Sequence, residues 1–374
     1  MINNIKSKRL DKFPEYVFSK LAKVVKEVEI SSGRKVLNFG PGTPDVRPSK
    51  VYLDKLKEFI DEPNSHLYPG YGAIPELENA LIKYYKKRFG VSITKDELFP
   101  LLGAKDGVSH IALALCDKGD EVLIPDPGYP GYVGPTIMAG AKPVFYDDIL
   151  DLEKKITKKT KYIWVNFPSN PTGQVATLDD LKKIVQIAKK HKVAIIYDNA
   201  YSEITFDGFI APSILQIPGA KDIAVEIGSF SKMSSFAGFR MGWIVGNGDI
   251  ISYLAKIKSQ IDSGLSLPLQ KLAAFTLLNP QKGWQKKMML SYKDRRDIIA
   301  KKLLRLGLKF SLPKGSLYIW AKIPDSEKNS ETFSMRILKE KQILLTPGSV
   351  FGKNGVRFVR VSICINIDKV DHYF

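Results

Sequence analysis

The sequence has little cysteine and histidine and no long apolar run. Its two cysteines, Cys116 and Cys364, lie far apart among 374 residues, which argues against a disulfide framework and a cysteine zinc site. No apolar run approaches the roughly 20 residues that span a bilayer. The charged N-terminal stretch MINNIKSKRLDKF is not followed by the apolar core of a secretory signal. We therefore expect a cytoplasmic protein without a membrane partner.

Acidic residues are outnumbered, since 57 lysines and arginines face 39 aspartates and glutamates and give a net charge of +18. Much of the excess is lysine in helix-like stretches such as LIKYYKKRF. No arginine–aromatic motif or helix-turn-helix signal accompanies it. The charge therefore predicts a solvated basic surface that attracts anionic substrates, and no nucleic-acid partner.

What the sequence does contain is an alternation of short apolar runs and amphipathic segments from about residue 95 to 250. Such alternation predicts parallel strands joined by crossover helices. The stretch TLDDLKKIVQIAKKHK begins with Thr177 and Asp180 at capping-box spacing and continues at helical period. The predicted strands are EVLIPD ending at Asp126, KYIWVNF ending at Phe167, VAIIYD ending at Asp198, DIAVEIGSF ending at Phe230 and MGWIVG ending at Gly246.

The pattern changes after Pro280. A long amphipathic helix is predicted from about Trp284 to Leu306, followed by alternating strands in GSLYIWAKI and VRFVRVSICI. The predicted fold class is α/β, with a mostly parallel central sheet in a large domain and a smaller α+β domain beside it. We place the large domain at residues 48–285 and build the small domain from residues 1–47 and 286–374.

Polar segments follow the predicted strands at their carboxyl ends, where open α/β sheets bind ligands. These segments contain no histidine or cysteine, so metal ligation and a cysteine–histidine pair are poor fits, and we expect no metal. The segments are PDPGYP (125–130), PSNPTG (168–173), DNAY (198–201) and SFSK (229–232).

The charged residues near these segments each have two interpretations. Asp198 either caps a helix or pairs with a cation such as the protonated ring nitrogen of a cofactor. Lys232 is either a surface lysine or an amine that forms a Schiff base with an aldehyde. Arg240 is either a structural ion-pair partner or a phosphate clamp aided by the Ser229 hydroxyl. Backbone N–H groups at a helix start near Lys105 would suit the same phosphate, although many helices begin after glycine.

Taken together, these residues resemble one family. It is the class I/II aminotransferases, fold-type I enzymes that use pyridoxal 5′-phosphate (PLP). The motifs that resemble the family, in order and spacing, are SFSKMSSFAGFRMGW, NFPSNPTG, YDNAY, DPGYP, YPGYGAIPEL and NFGPGTPD, and the resemblance covers about residues 10–365. The aspartate and diaminopimelate branch is similar in FPEYVFSKL, GAKDG and PDPGYPGY. The resemblance implies a homodimer that acts on amino acids and 2-oxo acids.

The resemblance also implies a role for each residue around the cofactor ring. Lys232 would bind the cofactor aldehyde covalently and shuttle a proton between the substrate Cα and the cofactor C4′. Asp198 would keep the ring nitrogen protonated. Tyr201 and Asn170 would hydrogen-bond the phenolic oxygen, and Tyr129 would stack on the ring face. The implied catalytic residues are thus Lys232, Asp198 and Tyr201.

The cofactor phosphate would be held by side chains and backbone together. Ser229 and Arg240 would bind it beside the backbone N–H groups of Ala104 and Lys105. Tyr68 would reach the phosphate from the partner subunit. These five assignments are also implied by the resemblance alone.

For the substrate, the resemblance implies Arg360 as a two-pronged donor to the α-carboxylate, assisted by Asn170 and the backbone of Gly42. Ordinary alternatives stay open for each. Arg360 would otherwise be a solvent-facing strand residue, and Asn170 and Gly42 would be turn residues. Tyr68 and Tyr129 would be half-buried aromatics.

Three departures limit the resemblance. Ala104 stands where many relatives have a hydroxyl residue. The stretch IDSGLSLP has no basic residue, although many aspartate enzymes place there an arginine for the side-chain carboxylate, so Lys105 or another basic group would substitute. The chain ends at residue 374, 14 residues after Arg360, and the usual terminal helix is therefore expected to be short or missing.

The predicted reaction moves an amino group from glutamate or a similar donor to a 2-oxo acid. The acceptor is expected to be of the N-succinyl-2-amino-6-oxoheptanedioate type, in lysine and cell-wall precursor synthesis. The alternatives are an aspartate aminotransferase, a PLP-dependent β-lyase and a non-enzymatic regulator that binds the cofactor.

Overall fold

The computed structural model describes residues 5–13 and 17–374, so residues 14–16 of the FPEYVFSKL motif lie outside the described residues. The described α-helices are α1 (Val17–Ser32), α2 (Lys50–Asp61), α3 (Pro75–Phe89), α4 (Ala104–Leu115), α5 (Val133–Met138), α6 (Ile149–Lys155), α7 (Leu178–His191), α8 (Phe230–Met233), α9 (Gly248–Lys258), α10 (Leu267–Leu278), α11 (Lys282–Arg305) and α12 (Ser330–Lys341). Short 3-10 helices are at Lys8–Lys12, Lys95–Glu97, Pro130–Tyr132, Ile214–Gln216, Ala220–Asp222, Ala237–Phe239, Gly348–Phe351, Lys353–Gly355 and Ile367–His372.

Twelve strands are found among the described residues and form three sheets. They are β1 (Leu37–Asn38), β2 (Leu98–Leu101), β3 (Glu121–Pro125), β4 (Lys142–Tyr146), β5 (Thr160–Asn166), β6 (Ala194–Asp198), β7 (Ala224–Ser229), β8 (Gly242–Gly246), β9 (Tyr318–Lys322), β10 (Ile343–Leu344), β11 (Thr346–Pro347) and β12 (Phe358–Ser362).

The largest sheet has seven strands in the order β2-β8-β7-β6-β5-β3-β4. The run from β4 to β7 is parallel, whereas β8 is antiparallel to both β7 and β2. Each predicted strand of this region is confirmed, and so is the capping box of Thr177 and Asp180 at the start of α7. The mostly parallel α/β fold class is confirmed as well.

Both faces of the seven-stranded sheet are buried. Its central strands are continuous runs of apolar residues and do not alternate between apolar and polar ones. In β5, Tyr162 and Trp164 pack into one core with α4 and α9, whereas Ile163 and Val165 pack into the other with α3, α7 and α10. Successive strand residues point to opposite faces, so a continuous apolar run requires cover on both sides. The result is a helix–sheet–helix sandwich whose strand ends converge on one edge.

A third core lies under the C-terminal strands. Strand β12 pairs antiparallel with β9 and β11, and β1 pairs in parallel with β10. The N-terminal strand β1 thus pairs with a C-terminal strand. Helix α11 crosses the predicted boundary at residue 285, and Trp284 packs against both the large-sheet core and the third core. The division at residues 47/48 and 285/286 stays a prediction.

No described helix combines the length and the apolar character that crossing a membrane demands. The last described helix is the short 3-10 helix Ile367–His372.

Candidate active site

A cavity of about 500 Å³ lies at the carboxyl ends of β5, β6 and β7, beside the small sheet. It brings together every site residue predicted from the sequence except Tyr68. The predicted residues that line it are Gly42, Ala104, Lys105, Tyr129, Asn170, Asp198, Tyr201, Ser229, Lys232, Arg240 and Arg360.

Asp198 is the buried carboxylate of this cavity. It ends β6, and one of its oxygens accepts a hydrogen bond of 2.7 Å from the Tyr132 hydroxyl while the other accepts one of 3.2 Å from the Ala200 N–H. Burial raises the pKa of Asp198 above its usual value, although Tyr132, Ala200 and the charge of Lys232 act in the opposite direction. A cation placed in the cavity beside Asp198 would therefore be stabilised by it.

Lys232 enters the cavity from α8, the single helical turn that follows β7. Its ammonium donates a hydrogen bond of 2.7 Å to the Gly42 carbonyl and lies 5.4 Å from the centroid of the Tyr201 ring. The Tyr201 hydroxyl is 3.0 Å from that of Tyr318. Burial, and then the neighbouring Tyr318, raises the pKa of Tyr201 well above its usual value, so its hydroxyl keeps its proton at neutral pH.

Arg360 is a charged residue in the middle of β12, with only 3% of its surface exposed. Its guanidinium donates to the Asn170 side-chain oxygen at 2.9 Å and to the Gly40 carbonyl at 2.6 Å. The guanidinium carbon lies 4.3 Å from the ring centroid of Tyr318. These contacts hold the planar group in one orientation at the cavity wall, an arrangement suited to a carboxylate. The solvent-facing alternative for Arg360 is therefore wrong.

The start of α4 forms the opposite end of the cavity. Gly103 precedes the helix, and because it has no side chain to cap the first turn, backbone N–H groups are presented there. The Arg240 guanidinium lies against this turn and donates to Leu102 O at 3.4 Å and to Ala237 O at 2.7 Å. The Ser229 hydroxyl accepts from Ser231 N at 3.2 Å. A helix start, a guanidinium and a hydroxyl together form an anion site.

Gly103 is required by its backbone conformation, and the Arg240 guanidinium packs against it. Its backbone has φ 83° and ψ 159°, a region open essentially only to glycine, and an added Cβ would lie 2.4 Å from Arg240 Nη2. We expect Gly103→Ala to lower the free energy of unfolding by about 2–4 kcal/mol, from backbone strain and overpacking together. Chemical denaturation measures the loss.

Gly90→Ala is the matched control for this variant. Gly90 also has positive φ, at 70°, but an added Cβ there meets nothing within 4 Å, so only the left-handed strain of roughly 1–2 kcal/mol applies. Equal losses in the two variants would contradict the greater strain expected at Gly103.

Tyr68 does not reach the cavity of its own chain. It is 86% exposed, in a segment that also exposes Leu67 and Tyr71. Within the described residues of one chain, the side chain therefore contributes nothing to the site. Tyr129 lines the cavity, and its ring meets that of Tyr132 edge-on at 5.4 Å.

Two residues of the site are missing from the sequence prediction. Tyr132 bonds to Asp198 and stacks on Trp164 at 4.4 Å, and Tyr318 contacts Tyr201 and Arg360. Tyr132 follows Tyr129 by three residues, a spacing that places both on one side of a helical turn and was available as a signal. Tyr318 carries no such signal, because it is one of several apolar and aromatic residues in the predicted strand GSLYIWAKI.

Comparison with known proteins decides the family of this chain. A family model described as aminotransferase class I and II matches residues 34–373. The chain is 36% identical over 376 residues to LL-diaminopimelate aminotransferase of Dehalococcoides mccartyi, covering 98% of this chain and 96% of the relative. The chain belongs to the class I and II aminotransferases. It is thus a PLP-dependent enzyme, a transaminase, and not a non-enzymatic regulator.

Other known aminotransferases and solved structures also match this chain over nearly its whole length. LL-diaminopimelate aminotransferase 2 of Trichormus variabilis is 37% identical over 370 residues, covering 96% of this chain and 94% of the relative. The apo structure of BacF from Bacillus subtilis superposes with a TM-score of 0.91 at 31% identity, covering 99% of this chain and 96% of that one. The aminotransferase fold predicted from the motifs is therefore confirmed from end to end.

Proposed function

We propose that this aminotransferase exchanges an amino group between LL-diaminopimelate and 2-oxoglutarate, so that glutamate is the amino donor in the biosynthetic direction. The observation that carries the proposal is the arrangement of Asp198, Lys232 and Arg360 around one cavity. A carboxylate, an amine and a fixed guanidinium are the groups needed for a cofactor ring, a proton transfer and a substrate carboxylate, respectively.

The residues of the cavity fit PLP. The buried Asp198 carboxylate matches a protonated ring nitrogen, and the anion site of Ser229, Arg240 and the start of α4 matches the phosphate. The backbone N–H groups of Ala104 and Lys105 lie at that helix start. Tyr129 would cover the ring face.

Bound PLP supplies an aldehyde for the substrate amine and an electron sink for the Cα carbanion. Lys232 would hold the aldehyde covalently and then move a proton at the substrate Cα. Its hydrogen bond to the Gly42 carbonyl holds the amine inside the cavity. The protonated Tyr201 hydroxyl and the Asn170 amide would donate to the ring phenolic oxygen, because the Asn170 side-chain oxygen is already engaged by Arg360.

Arg360 would orient the substrate through its α-carboxylate. Because Asn170 and Gly40 fix the guanidinium, a carboxylate bound there has one orientation relative to Lys232. Tyr318 packs closely on Gly42 on that side. A Cβ at position 42 would lie 1.8 Å from the Tyr318 hydroxyl, so glycine leaves the space that this contact needs. Fixed geometry at the reacting carbon is what this set of residues contributes to catalysis.

The amino acid partner is proposed from the relatives. Their printed names specify LL-diaminopimelate, so we propose this substrate in place of the N-succinyl type expected from the sequence. Residues 261–268 contain no basic side chain and do not line the cavity, which gives an aspartate side chain no arginine partner there. The exposed Lys105 is the remaining basic residue at the cavity, and its pairing with the distal carboxylate stays a prediction.

We further propose a homodimer in which Tyr68 enters the neighbouring site. Its 86% exposure in the single chain, in a segment that exposes other apolar residues, supports this role.

A half-reaction panel tests the proposed function. The PLP-loaded enzyme is mixed with single amino acids, and the visible absorption of the bound cofactor is followed as each donates its amino group. We expect rapid changes with glutamate and LL-diaminopimelate, and slower ones with aspartate and N-succinyl-LL-diaminopimelate. A faster response to aspartate or to the succinylated compound would contradict the proposed substrate.

An additional sample with an amino acid that carries a leaving group on its β-carbon, such as serine or cystathionine, tests the lyase alternative. Release of pyruvate and ammonia without a 2-oxo acid acceptor would indicate β-elimination instead of transfer. A silent response to glutamate would contradict the proposed donor.

A further inference from the structure

Lys258 is a buried lysine outside the cavity. It ends α9, only 3% of its side chain is exposed, and its ammonium lies 2.6 Å from a carboxylate oxygen of Asp106 and 2.6 Å from one of Asp262. A lysine is rarely buried to this degree unless it is paired, so the two aspartates account for its position. None of the three lines the cavity.

Asp106 ties this cluster to the turn that begins α4. The same oxygen that accepts from Lys258 also accepts a hydrogen bond of 2.8 Å from Leu102 N, on the other side of Gly103. Burial acts to raise the pKa of Asp106, but the bonds from His110 and Lys258 outweigh it, and the pKa lies below its usual value. The carboxylate is therefore charged at neutral pH and bridges the turn from Leu102 to the first turn of α4.

The cluster does not resemble a metal site. Asp106, His110 and Asp262 have ligand atoms within 4.8 Å of one another, which is the spacing of a candidate ligand set. However, the ammonium of Lys258 already contacts both carboxylates at 2.6 Å and occupies the place of the cation. The lysine thus supplies a positive charge that two half-buried aspartates share.

The charge of Lys258 matters because the cofactor phosphate is proposed to bind next to Asp106. Asp106 lies in the first turn of α4, two residues from Ala104, at the helix start proposed to hold the cofactor phosphate. A carboxylate there is attracted to the helix dipole but repels a phosphate dianion. Lys258 offsets the carboxylate charge and leaves its hydrogen bond to Leu102 in place.

The second ion pair of Lys258, with Asp262, lies on the side away from the proposed phosphate site. Asp262 also accepts a hydrogen bond of 2.9 Å from Gly264 N. Gly264 packs so closely on the 68–72 segment that an added Cβ would lie 2.2 Å from Gly70 O. Through Asp262, the same lysine therefore anchors the loop that supports the segment of Tyr68.

We propose that Lys258 is a positioning residue for cofactor phosphate binding, acting through Asp106 on the turn that begins α4. The proposal rests on the proposed function, because it takes the phosphate to bind at that turn. Lys258 touches neither cofactor nor substrate. It offsets the charge of Asp106 and keeps the hydrogen bond from Leu102 N to Asp106 in place at the start of α4.

The test compares PLP with pyridoxal, which lacks the phosphate. The full-length protein is stripped of cofactor, and both compounds are titrated into the wild type and Lys258→Met by absorbance and fluorescence. We expect Lys258→Met to weaken PLP binding by about tenfold or more, since a buried charge loses its partner, and to change pyridoxal binding by less than about twofold. Lys256→Met, an exposed position on the same helix, is the matched control and should change neither.

Two further variants separate charge balance from general damage. In Lys258→Met/Asp106→Asn the repelling carboxylate is also neutral, and most of the PLP affinity should return. Asp106→Asn alone keeps an oxygen for Leu102 N and should bind PLP at least as tightly as the wild type. It also serves as the readout if Lys258→Met does not fold, because a tenfold loss of PLP affinity in Asp106→Asn would overturn the proposal.

The outcomes also separate this inference from the proposed function. If the wild type binds PLP no better than pyridoxal, the phosphate site itself is wrong. If the wild type prefers PLP and Lys258→Met keeps the whole preference, or loses affinity for both compounds equally, the positioning role is wrong and the phosphate site stands.

Discussion

Replacing Lys232 with alanine is expected to lower the rate of amino transfer by about 10²- to 10⁴-fold, the contribution typical of a positioned proton-transfer group. Within the described part of the chain, Lys232 is the lysine whose ammonium contacts both the Gly42 carbonyl and the Tyr201 ring inside the cavity. The other lysine that lines the cavity, among the described residues, is Lys105, which is exposed at the start of α4. Steady-state assays with glutamate and an excess of acceptor measure the loss.

A matched control and an affinity measurement sharpen this expectation. Lys182→Ala removes an exposed lysine on α7 and should leave the rate unchanged. PLP should still bind to Lys232→Ala through the phosphate and ring contacts, although without a covalent link. A variant that keeps a rate within about tenfold of the wild type would contradict the role of Lys232.

Replacing Arg360 is expected to weaken the capture of amino acids without displacing the cofactor. Removing a buried, hydrogen-bonded charge partner costs about 2–5 kcal/mol, or roughly 30- to 5000-fold in kcat/KM for the half-reaction. Arg360→Lys keeps the charge but loses the planar fork that donates to Asn170 and Gly40, so we expect it to recover little of the loss. Stopped-flow half-reactions with glutamate and LL-diaminopimelate give the ratio.

The surface arginine Arg336 offers the control, since it forms ion pairs with Glu327 and Glu340 away from the site. Arg336→Lys should behave as the wild type. If Arg360→Lys kept its kcat/KM for both amino acids, or if Arg360→Ala lost PLP as well as substrate, the carboxylate-binding role of Arg360 would be wrong.

Much of the site was predictable because chemistry and topology coincide. The neighbouring strands β5, β6 and β7 each end in a polar residue. Because parallel strands end at one edge of the sheet, Asp198 and Lys232 had to lie near each other. The ordered motifs added Arg360, which the sequence alone placed only in an alternating strand. The strand ends and the family resemblance together predicted the cavity. All predicted site residues except Tyr68 line it.

The contacts between side chains from distant elements were not predictable. Tyr132 donates to Asp198 across 66 positions, and Lys258 reaches Asp106 across 152. No local periodicity records such pairs, since register and helix packing decide them. The antiparallel direction of β8 was equally hidden, because an apolar strand reads the same in either direction.

The contact between subunits was predicted through Tyr68. Tyr68 was expected at the phosphate of a partner subunit, and the single chain shows only that its side chain is exposed. The segment around it packs on Gly264, so its position depends on the loop that Lys258 anchors. Cofactor binding and dimer formation are therefore expected to depend on neighbouring parts of the same structure.

The central claim is that Lys232 carries the cofactor in this cavity. Reduction of the PLP-loaded enzyme with borohydride, followed by proteolysis and mass-spectrometric peptide mapping, tests it most directly. The account predicts that the phosphopyridoxyl group is found on Lys232, in the peptide that contains SFSKMSSFAGFR, and on no other lysine in stoichiometric amount. A stoichiometric label on a different lysine, or none on any lysine, would contradict it.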